Sequence, residues 1–207
     1  MTQNPIMQKA EGSQLARRRG RQTFLGLAAL FFVPLALSFW LYYSGGWRPA
    51  RSTNHGEIIT PALRLEKAAL SKPDGSSARV ELLTGQWSLL YLGAGQCDAD
   101  CQHTLYVMRQ TRLTLANDMT RVRRVFIATS NCCNVDFFNR EHAGLEVVAA
   151  SDPGTRDFLA QFPQTDRSNS IFVVDPLGNL MMRFDARQNP QGLKSDLTQL
   201  LKLSHIG

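Results

Sequence analysis

The sequence has few cysteines and little charge. Four cysteines among 207 residues are too few for a small secreted domain held together by disulfides, so their spacing is better interpreted as chemistry. Charged residues make up 19% of the chain and hydrophobic residues 43%, which excludes a disordered protein and also a membrane protein with many spans. No internal repeat is visible. The length therefore predicts one globular domain with an additional segment.

Charge is absent altogether from one N-terminal stretch. No charged residue occurs between Gln22 and Trp47, and Phe24–Tyr43 is almost wholly apolar. At ~1.5 Å per residue, a helix of this length matches the ~30 Å hydrocarbon core of a bilayer. A cleaved signal peptide is the alternative, since the small residues Ala36 and Ser38 follow an apolar core. Because the apolar run continues past these two residues, we predict an uncleaved membrane anchor.

Basic residues lie mainly before this apolar stretch. Of the formal net charge of +6, residues 1–21 supply +4, from five cations and one acid. The more basic flank is expected to stay in the cytoplasm of a bacterial-type inner membrane, with the C-terminal domain in the periplasm. No basic face interleaved with aromatic residues follows, so no nucleic-acid partner is expected. The predicted parts are a cytoplasmic tail (1–22), a transmembrane helix (23–43), a tether (44–56) and an exported domain (57–207).

The exported domain alternates predicted strands and helices. Short strands are predicted at Pro61–Leu70 and Arg79–Leu83, and buried parallel strands at Trp87–Ala94 and Val122–Thr129, joined by a helix within Cys101–Asn117. The remaining predicted elements are helices at Phe137–His142, Thr155–Phe162 and Leu193–Leu203, a short strand at Leu145–Ala149, and a hairpin of Ser170–Asp175 and Leu180–Phe184. This order predicts an α/β domain with a thioredoxin-like fold.

Two cysteines follow the predicted strand Trp87–Ala94. Cys97 and Cys101 form a C-x-x-x-C pair where that strand passes into a helix, and residues four apart on a helix share one face. The helix N-terminus favours a thiolate at Cys97, whereas Asp98 and Asp100 oppose this by raising the cysteine pKa values. We predict a metal or thiol-exchange site here, and a plain structural disulfide is the alternative.

The segment from about Pro61 to Leu203 resembles the Sco/SenC family, membrane-anchored thioredoxin-fold proteins that help to assemble the copper centre of cytochrome c oxidase. The resemblance depends on the N-terminal span, on Leu105, and on the segments WSLLYLGAGQCDADC, RVFIATS and SIFVVDPLGNL. It implies that Cys97 and Cys101 bind copper. It also implies a partner, either a cytochrome c oxidase subunit or another copper or thiol protein.

The chain departs from this family pattern in its ligand set. Asp98 and Gln102 stand where family members usually have proline after each cysteine. The family's third copper ligand is a histidine five residues before the aromatic residue of the hairpin strand, and counting back from Phe172 reaches Arg167. Arginine stays protonated and offers no lone pair to copper. The two thiolates alone are therefore expected to bind Cu(I), which accepts sulfur ligands, and to bind Cu(II) poorly.

No histidine of the chain is expected to replace the missing ligand. His103 lies on the far side of the predicted helix, His55 in the tether and His205 in the C-terminal tail, and nothing fixes His142 near the cysteines. Three functions stay open at this point. They are Cu(I) delivery, thiol–disulfide exchange (with a copper-site protein or as a general periplasmic oxidoreductase), and a non-catalytic scaffold that retains only the fold.

The family pattern does not explain Cys132 and Cys133. Cys97 and Cys132 each lie three residues beyond the end of a predicted parallel strand, so both cysteine pairs should leave the sheet at the same edge. We expect Cys132 and Cys133 to be free or partly buried thiols. The alternative is that one of them approaches the C-x-x-x-C pair as a resolving thiol or an additional Cu(I) ligand. A disulfide between the two adjacent residues is not expected, because it would close a strained ring.

Overall fold

A computed structural model describes residues 5–44, 54–66, 69–78, 82–150, 155–164, 166–204 and 206. The chain forms two compact units, Met1–Ser52 and Thr53–Gly207. The first unit contains one helix, α1 (Pro5–Tyr43), which begins well before the predicted transmembrane segment and includes most of the basic tail. Its part Gly20–Tyr43 is long and apolar enough to cross a membrane, by length and composition.

The second unit is built on a six-stranded mixed sheet. Its strand order is β1-β6-β5-β2-β3-β4, with β2, β3 and β4 parallel and with β5, β6 and β1 paired antiparallel. The strands are β1 (Glu57–Arg64), β2 (Trp87–Ala94), β3 (Val122–Ser130), β4 (Leu145–Ala149), β5 (Ser170–Val174) and β6 (Asn179–Asp185). The helices of this unit are α2 (Ala99–Leu113), α3 (Val135–Glu141), α4 (Arg156–Ala160) and α5 (Pro190–Leu203). The predicted α/β fold class is confirmed.

Strand β2 is central because both of its faces are apolar. Leu89 and Tyr91 belong to one hydrophobic core, which includes residues of α2 and α5. Leu90 and Leu92 belong to a second core, which includes residues of α4. Since successive side chains of a strand point to opposite faces, these two cores lie on the two sides of the sheet. A continuous apolar run was therefore sufficient to predict this strand with its observed bounds.

The predictions were less accurate at the edges of the domain. Strand β1 lies at Glu57–Arg64 instead of 61–70, and its residues are almost all exposed, so no buried face marks it in the sequence. Of the predicted strand 79–83, residues 79–81 lie outside the described residues, and Leu82 and Leu83 form a turn. Of the predicted tether, residues 45–53 also lie outside the described part of the chain.

The end of the predicted tether is attached to α5 of the second unit. The buried carboxylate of Asp196 on α5 accepts hydrogen bonds from the backbone N–H of His55 (2.9 Å) and of Gly56 (2.8 Å), and it lies 3.1 Å from Nδ1 of the His55 ring. A side chain at Gly192 would place Cβ only 2.8 Å from Cβ of His55. Packing and hydrogen bonds therefore hold the chain at α5 just before β1 begins.

Candidate functional site

The C-x-x-x-C pair lies at the carboxyl end of β2, where the chain turns into α2. Cys97 and Cys101 are joined by a disulfide, with their Cα atoms 5.1 Å apart. The backbone N–H of Cys97 donates to the carbonyl of Ala94 (3.0 Å), and Nε2 of Gln102 donates to the carbonyl of Cys97 (3.1 Å). Cys97 has a φ of 54°, a left-handed conformation that residues other than glycine seldom adopt. Such conformations are concentrated at functional sites.

Both sulfurs of this pair are buried. Only 3% of Cys97 and 1% of Cys101 is exposed, and both residues belong to the hydrophobic core that includes Leu105 and Met108 of α2. Asp98 and Asp100, between the two cysteines, are exposed. A large thiol or metal donor therefore cannot reach either sulfur from solvent without local opening of the chain.

Asp98 has a structural function at this site. It is the N-cap of α2, and its side chain accepts a hydrogen bond from the backbone N–H of Cys101 (3.0 Å). This bond satisfies one of the free N–H groups at the start of the helix. Helix capping thus explains why an acidic residue stands where Sco/SenC proteins usually have proline.

Tyr91 connects the strand that carries the site to the turn before β5. Its hydroxyl donates to the carbonyl of Ser168 (3.0 Å). Burial raises the pKa of Tyr91 far above its usual value, and the charges of Asp98 and Asp100 raise it further. The hydroxyl is therefore a permanent donor, which holds the 3₁₀ turn Arg167–Asn169 beside β2.

The structure corrects the predictions made for Cys132 and Cys133. These residues are joined by a disulfide, and the part of the chain that the structure describes contains no free cysteine. The expectation of free or partly buried thiols is wrong, as is the expectation that adjacent cysteines would not pair. Both residues lie in a short loop whose ends are held by backbone hydrogen bonds. The N–H of Gly95 donates to Ser130 (2.7 Å), and the N–H of Asn134 donates to Gly95 (2.9 Å).

The prediction that both cysteine pairs leave the sheet at the same edge is confirmed. Because Gly95 is bonded to both ends of the Cys132–Cys133 loop, this loop lies directly beside the turn that leads to Cys97. A Cβ atom at Gly95 would be 2.6 Å from Cα of Cys132, so only glycine allows this approach. The sequence analysis assigned no function to Gly95.

Arg167 lies in the 3₁₀ turn before β5, and its guanidinium contacts the carboxyl-terminal end of α4. Its Nε donates to the carbonyl of Pro163 (3.0 Å), and its Nη2 donates to the carbonyls of Phe162 (2.7 Å) and Leu159. Burial lowers the pKa of Arg167 from its ordinary value. The residue at this position therefore stabilises a helix end through its guanidinium and supplies no electron pair to a metal.

The histidines are found in different places. His55 is held by Asp196, Nε2 of His103 lies 3.2 Å from the carbonyl oxygen of Ala186, and His205 lies outside the described residues. His142 is buried against Phe137. Among the described residues, no group of three or more His, Cys, Asp or Glu side chains is placed to hold a metal ion. The binding of a metal ion by the sulfurs of Cys97 and Cys101 therefore stays a prediction from the sequence.

Comparisons with known proteins agree with this architecture. A family model described as "Transmembrane-like, thioredoxin-like, C-terminal domain" matches residues 87–204. No curated protein matches the chain. Apo Sco1 from Thermus thermophilus has a TM-score of 0.59 at 19% identity, over 73% of this chain and 99% of that one. Yeast Sco1 with copper bound has a TM-score of 0.60 at 16% identity, over 70% of this chain and 96% of that one.

A third similar structure is that of BsSco, in which a disulfide switch was identified and which is described as a member of the Sco family of cytochrome c oxidase assembly proteins. Its TM-score is 0.54 at 15% identity, over 72% of this chain and 99% of that one. The predicted resemblance to Sco proteins is thus confirmed in the fold of the second unit.

Proposed function

Because the chain belongs to the transmembrane-like, thioredoxin-like, C-terminal domain family, we propose that it is a membrane-anchored, Sco-like protein that assists assembly of the copper centre of cytochrome c oxidase. The observation that carries this proposal is the Cys97–Cys101 pair at the carboxyl end of β2, in a fold shared with Sco1 proteins. The proposed partner is an oxidase subunit or another copper or thiol protein.

The proposed location follows from charge and redox chemistry. The cations before Gly20–Tyr43 favour a cytoplasmic N-terminus, which places the exported domain in the periplasm. Disulfides persist in that oxidising compartment, and the described residues contain two of them. Helix α1 would then be the single-pass anchor.

Two chemistries are available to the reduced pair. Cys97 precedes the N-cap of α2 and Cys101 lies in the first turn of this helix, with their Cα atoms 5.1 Å apart. Their two thiolates can therefore converge on one Cu(I) ion, which accepts soft sulfur ligands in low coordination numbers. Copper is here the cargo of the protein. The second chemistry is thiol–disulfide exchange, which the oxidised state of the pair supports. In that case the pair would keep the cysteines of a partner's copper site reduced.

Copper titration of the full-length protein in detergent tests the first chemistry. After anaerobic reduction, we expect a single high-affinity Cu(I) ion per chain, measured by competition with a chromophoric chelator. Because no imidazole completes the ligand set, Cu(II) should produce no intense thiolate charge-transfer band.

The double variant Cys97→Ser/Cys101→Ser should lose the Cu(I) ion, and the matched variant Cys132→Ser/Cys133→Ser should retain it. Unchanged Cu(I) binding without Cys97 and Cys101 would contradict the proposed site. If the wild-type protein neither binds Cu(I) nor reduces a disulfide in a copper-site peptide, the scaffold alternative is favoured.

Arg167→His is expected to change both copper binding and stability. An imidazole at position 167 should strengthen Cu(II) binding and produce a Cu(II)–thiolate band, if this position corresponds to the family histidine. The variant also loses the hydrogen bonds from the guanidinium to the carbonyls of Phe162 and Pro163, which should lower the free energy of unfolding by about 2 kcal/mol.

Absorption spectra with Cu(II) and urea unfolding measure the two effects of Arg167→His. Arg167→Lys is the matched control, because it loses the planar guanidinium contacts without adding a copper ligand. Equal Cu(II) binding by both variants would show that position 167 does not face the cysteine pair.

A further inference from the structure

We propose that Cys132–Cys133 is a second redox pair, through which an external protein dithiol reduces the buried Cys97–Cys101 disulfide. The proposal rests on the proposed function in its thiol-exchange form, because the reduced Cys97–Cys101 pair would then reduce the disulfide of a partner. Two observations support it: the different exposure of the four sulfur-bearing residues and the direct contact between their loops.

The first observation concerns access. Thiol–disulfide exchange requires a thiolate to approach a disulfide sulfur closely, so its rate depends on exposure. With 3% and 1% of their surfaces exposed, Cys97 and Cys101 meet the thiol of a folded partner protein only after local opening of the chain. Cys132 is exposed, whereas Cys133 is half-buried. An external dithiol therefore meets Cys132 first.

The second observation concerns proximity. Gly95 lies two residues before Cys97, and its N–H and carbonyl are hydrogen-bonded to Ser130 and Asn134 on either side of the Cys132–Cys133 loop. The loops approach so closely that a Cβ atom at Gly95 would lie 2.5 Å from the carbonyl oxygen of Asn131. Cys133 packs against the core cluster that contains Cys97 and Cys101. Cys132–Cys133, which we call the outer pair, thus lies between solvent and Cys97–Cys101, which we call the inner pair.

The external dithiol first reduces the outer pair. One of its thiolates attacks Sγ of Cys132, the Cys132–Cys133 bond breaks, and Cys133 leaves as a thiolate. The second thiolate of the external protein then attacks the sulfur of that protein's first cysteine in the mixed disulfide. This attack releases Cys132 as a thiolate and leaves the external protein with a disulfide.

The outer pair then reduces the inner pair. The Cys133 thiolate attacks the Cys97–Cys101 disulfide, which forms a mixed disulfide and releases the other inner cysteine as a thiolate. Attack by Cys132 on Sγ of Cys133 re-forms the outer disulfide and releases the second inner cysteine. In sum, two electrons and two protons pass from the external dithiol to Cys97 and Cys101, and the outer pair ends as it began.

A cross-linking experiment tests whether the pairs can exchange. The full-length protein in detergent is prepared as Cys101→Ser/Cys132→Ser, which retains Cys97 and Cys133, and as Cys97→Ser/Cys132→Ser, which retains Cys101 and Cys133. After mild oxidation, peptide mapping without reduction should find an intramolecular disulfide to Cys133 in at least one of the two variants.

The matched control, Cys101→Ser/Cys133→Ser, retains Cys97 and the exposed Cys132. It should form less intramolecular disulfide than the variants that retain Cys133. If neither variant that retains Cys133 forms an intramolecular disulfide, the relay is excluded.

A kinetic experiment tests the direction of electron flow. Reduced thioredoxin serves as the external dithiol, and differential alkylation with mass spectrometry follows the reduction of Cys97–Cys101. In Cys132→Ser/Cys133→Ser, this reduction should slow by roughly tenfold or more, because the exposed sulfur is absent. Reduction by a small phosphine should proceed at the wild-type rate, which controls for a change of fold.

Equal rates with thioredoxin in the wild-type protein and in this variant would overturn the proposal. The outcome is separate from that of the proposed function, because a failure to bind copper or to reduce a partner's disulfide leaves the cross-link and the rate ratio measurable.

Discussion

Replacing Gly95 by alanine should destabilise the thioredoxin-like domain by about 3 kcal/mol, because the added methyl group has no space. Its Cβ would lie 2.5 Å from the carbonyl oxygen of Asn131 and 2.6 Å from Cα of Cys132. These neighbours are backbone atoms of a short loop, so they cannot move aside by a change of rotamer. The loop must shift as a whole, and its hydrogen bonds to Gly95 must lengthen or break.

Urea unfolding of the full-length protein in detergent, followed by near-ultraviolet circular dichroism, measures this effect. Gln96→Ala is the matched control, since Gln96 is exposed and makes only a long hydrogen bond (3.4 Å) to Asn131. We expect that control to change the free energy of unfolding by no more than ~0.5 kcal/mol. A similar small effect for Gly95→Ala would show that the two loops are not in tight contact.

Lowering the pH from about 6.5 to about 4 should destabilise the thioredoxin-like domain through His142. Burial, together with the nearby charges of Arg109 and Arg124, lowers the pKa of His142 to about 4, although Glu141 acts in the opposite direction. The ring is 4% exposed, and its Nδ1 has no hydrogen-bond partner among the described residues. A proton on this ring therefore has little to stabilise it in the folded state.

The sign follows from proton binding. In the unfolded chain His142 has an ordinary pKa near 6.5, so between about 6.5 and 4 the unfolded state binds more protons than the folded state. The free energy of unfolding should therefore fall across this window, by up to ~3 kcal/mol, and the contribution of His142 should be constant above and below it.

Urea midpoints measured across this pH window for the wild-type protein and for His142→Gln test this prediction. The variant should lose most of the pH dependence between 6.5 and 4. His103→Gln is the control for the loss of an exposed imidazole. Equal slopes for the wild-type protein and His142→Gln would contradict the expected protonation penalty.

The central strands and the site were predictable because burial leaves a direct pattern in the sequence. Trp87–Ala94 is a nearly continuous apolar run that ends just before Cys97, and both its bounds and the position of the C-x-x-x-C pair agree with the structure. The hairpin of β5 and β6 was equally clear, since the turn between two apolar runs contains Pro176 and Gly178. Both signals are local, so no distant contact was needed to interpret them.

The edge strand and the start of α2 were harder to place. Strand β1 pairs only with β6 and buries almost none of its residues, so neither alternation nor an apolar run marks it. Helix α2 begins two residues earlier than predicted, at Ala99, because Asp98 caps it. The sequence interpretation considered this aspartate only for its charge.

The sequence alone determined the anchor-like apolar segment, the thioredoxin-like order of strands and helices, and the position of Cys97 and Cys101. Only the tertiary structure decided what lies around that pair. The contact of the Cys132–Cys133 loop with Gly95 joins two segments that are separate in the chain. The hydrogen bonds from Arg167 to the carbonyls of Leu159 and Phe162 depend on how the chain turns between α4 and β5. Hydrophobic patterning reports which face of an element is buried. It does not report which loops meet, because that depends on the packing of the whole sheet.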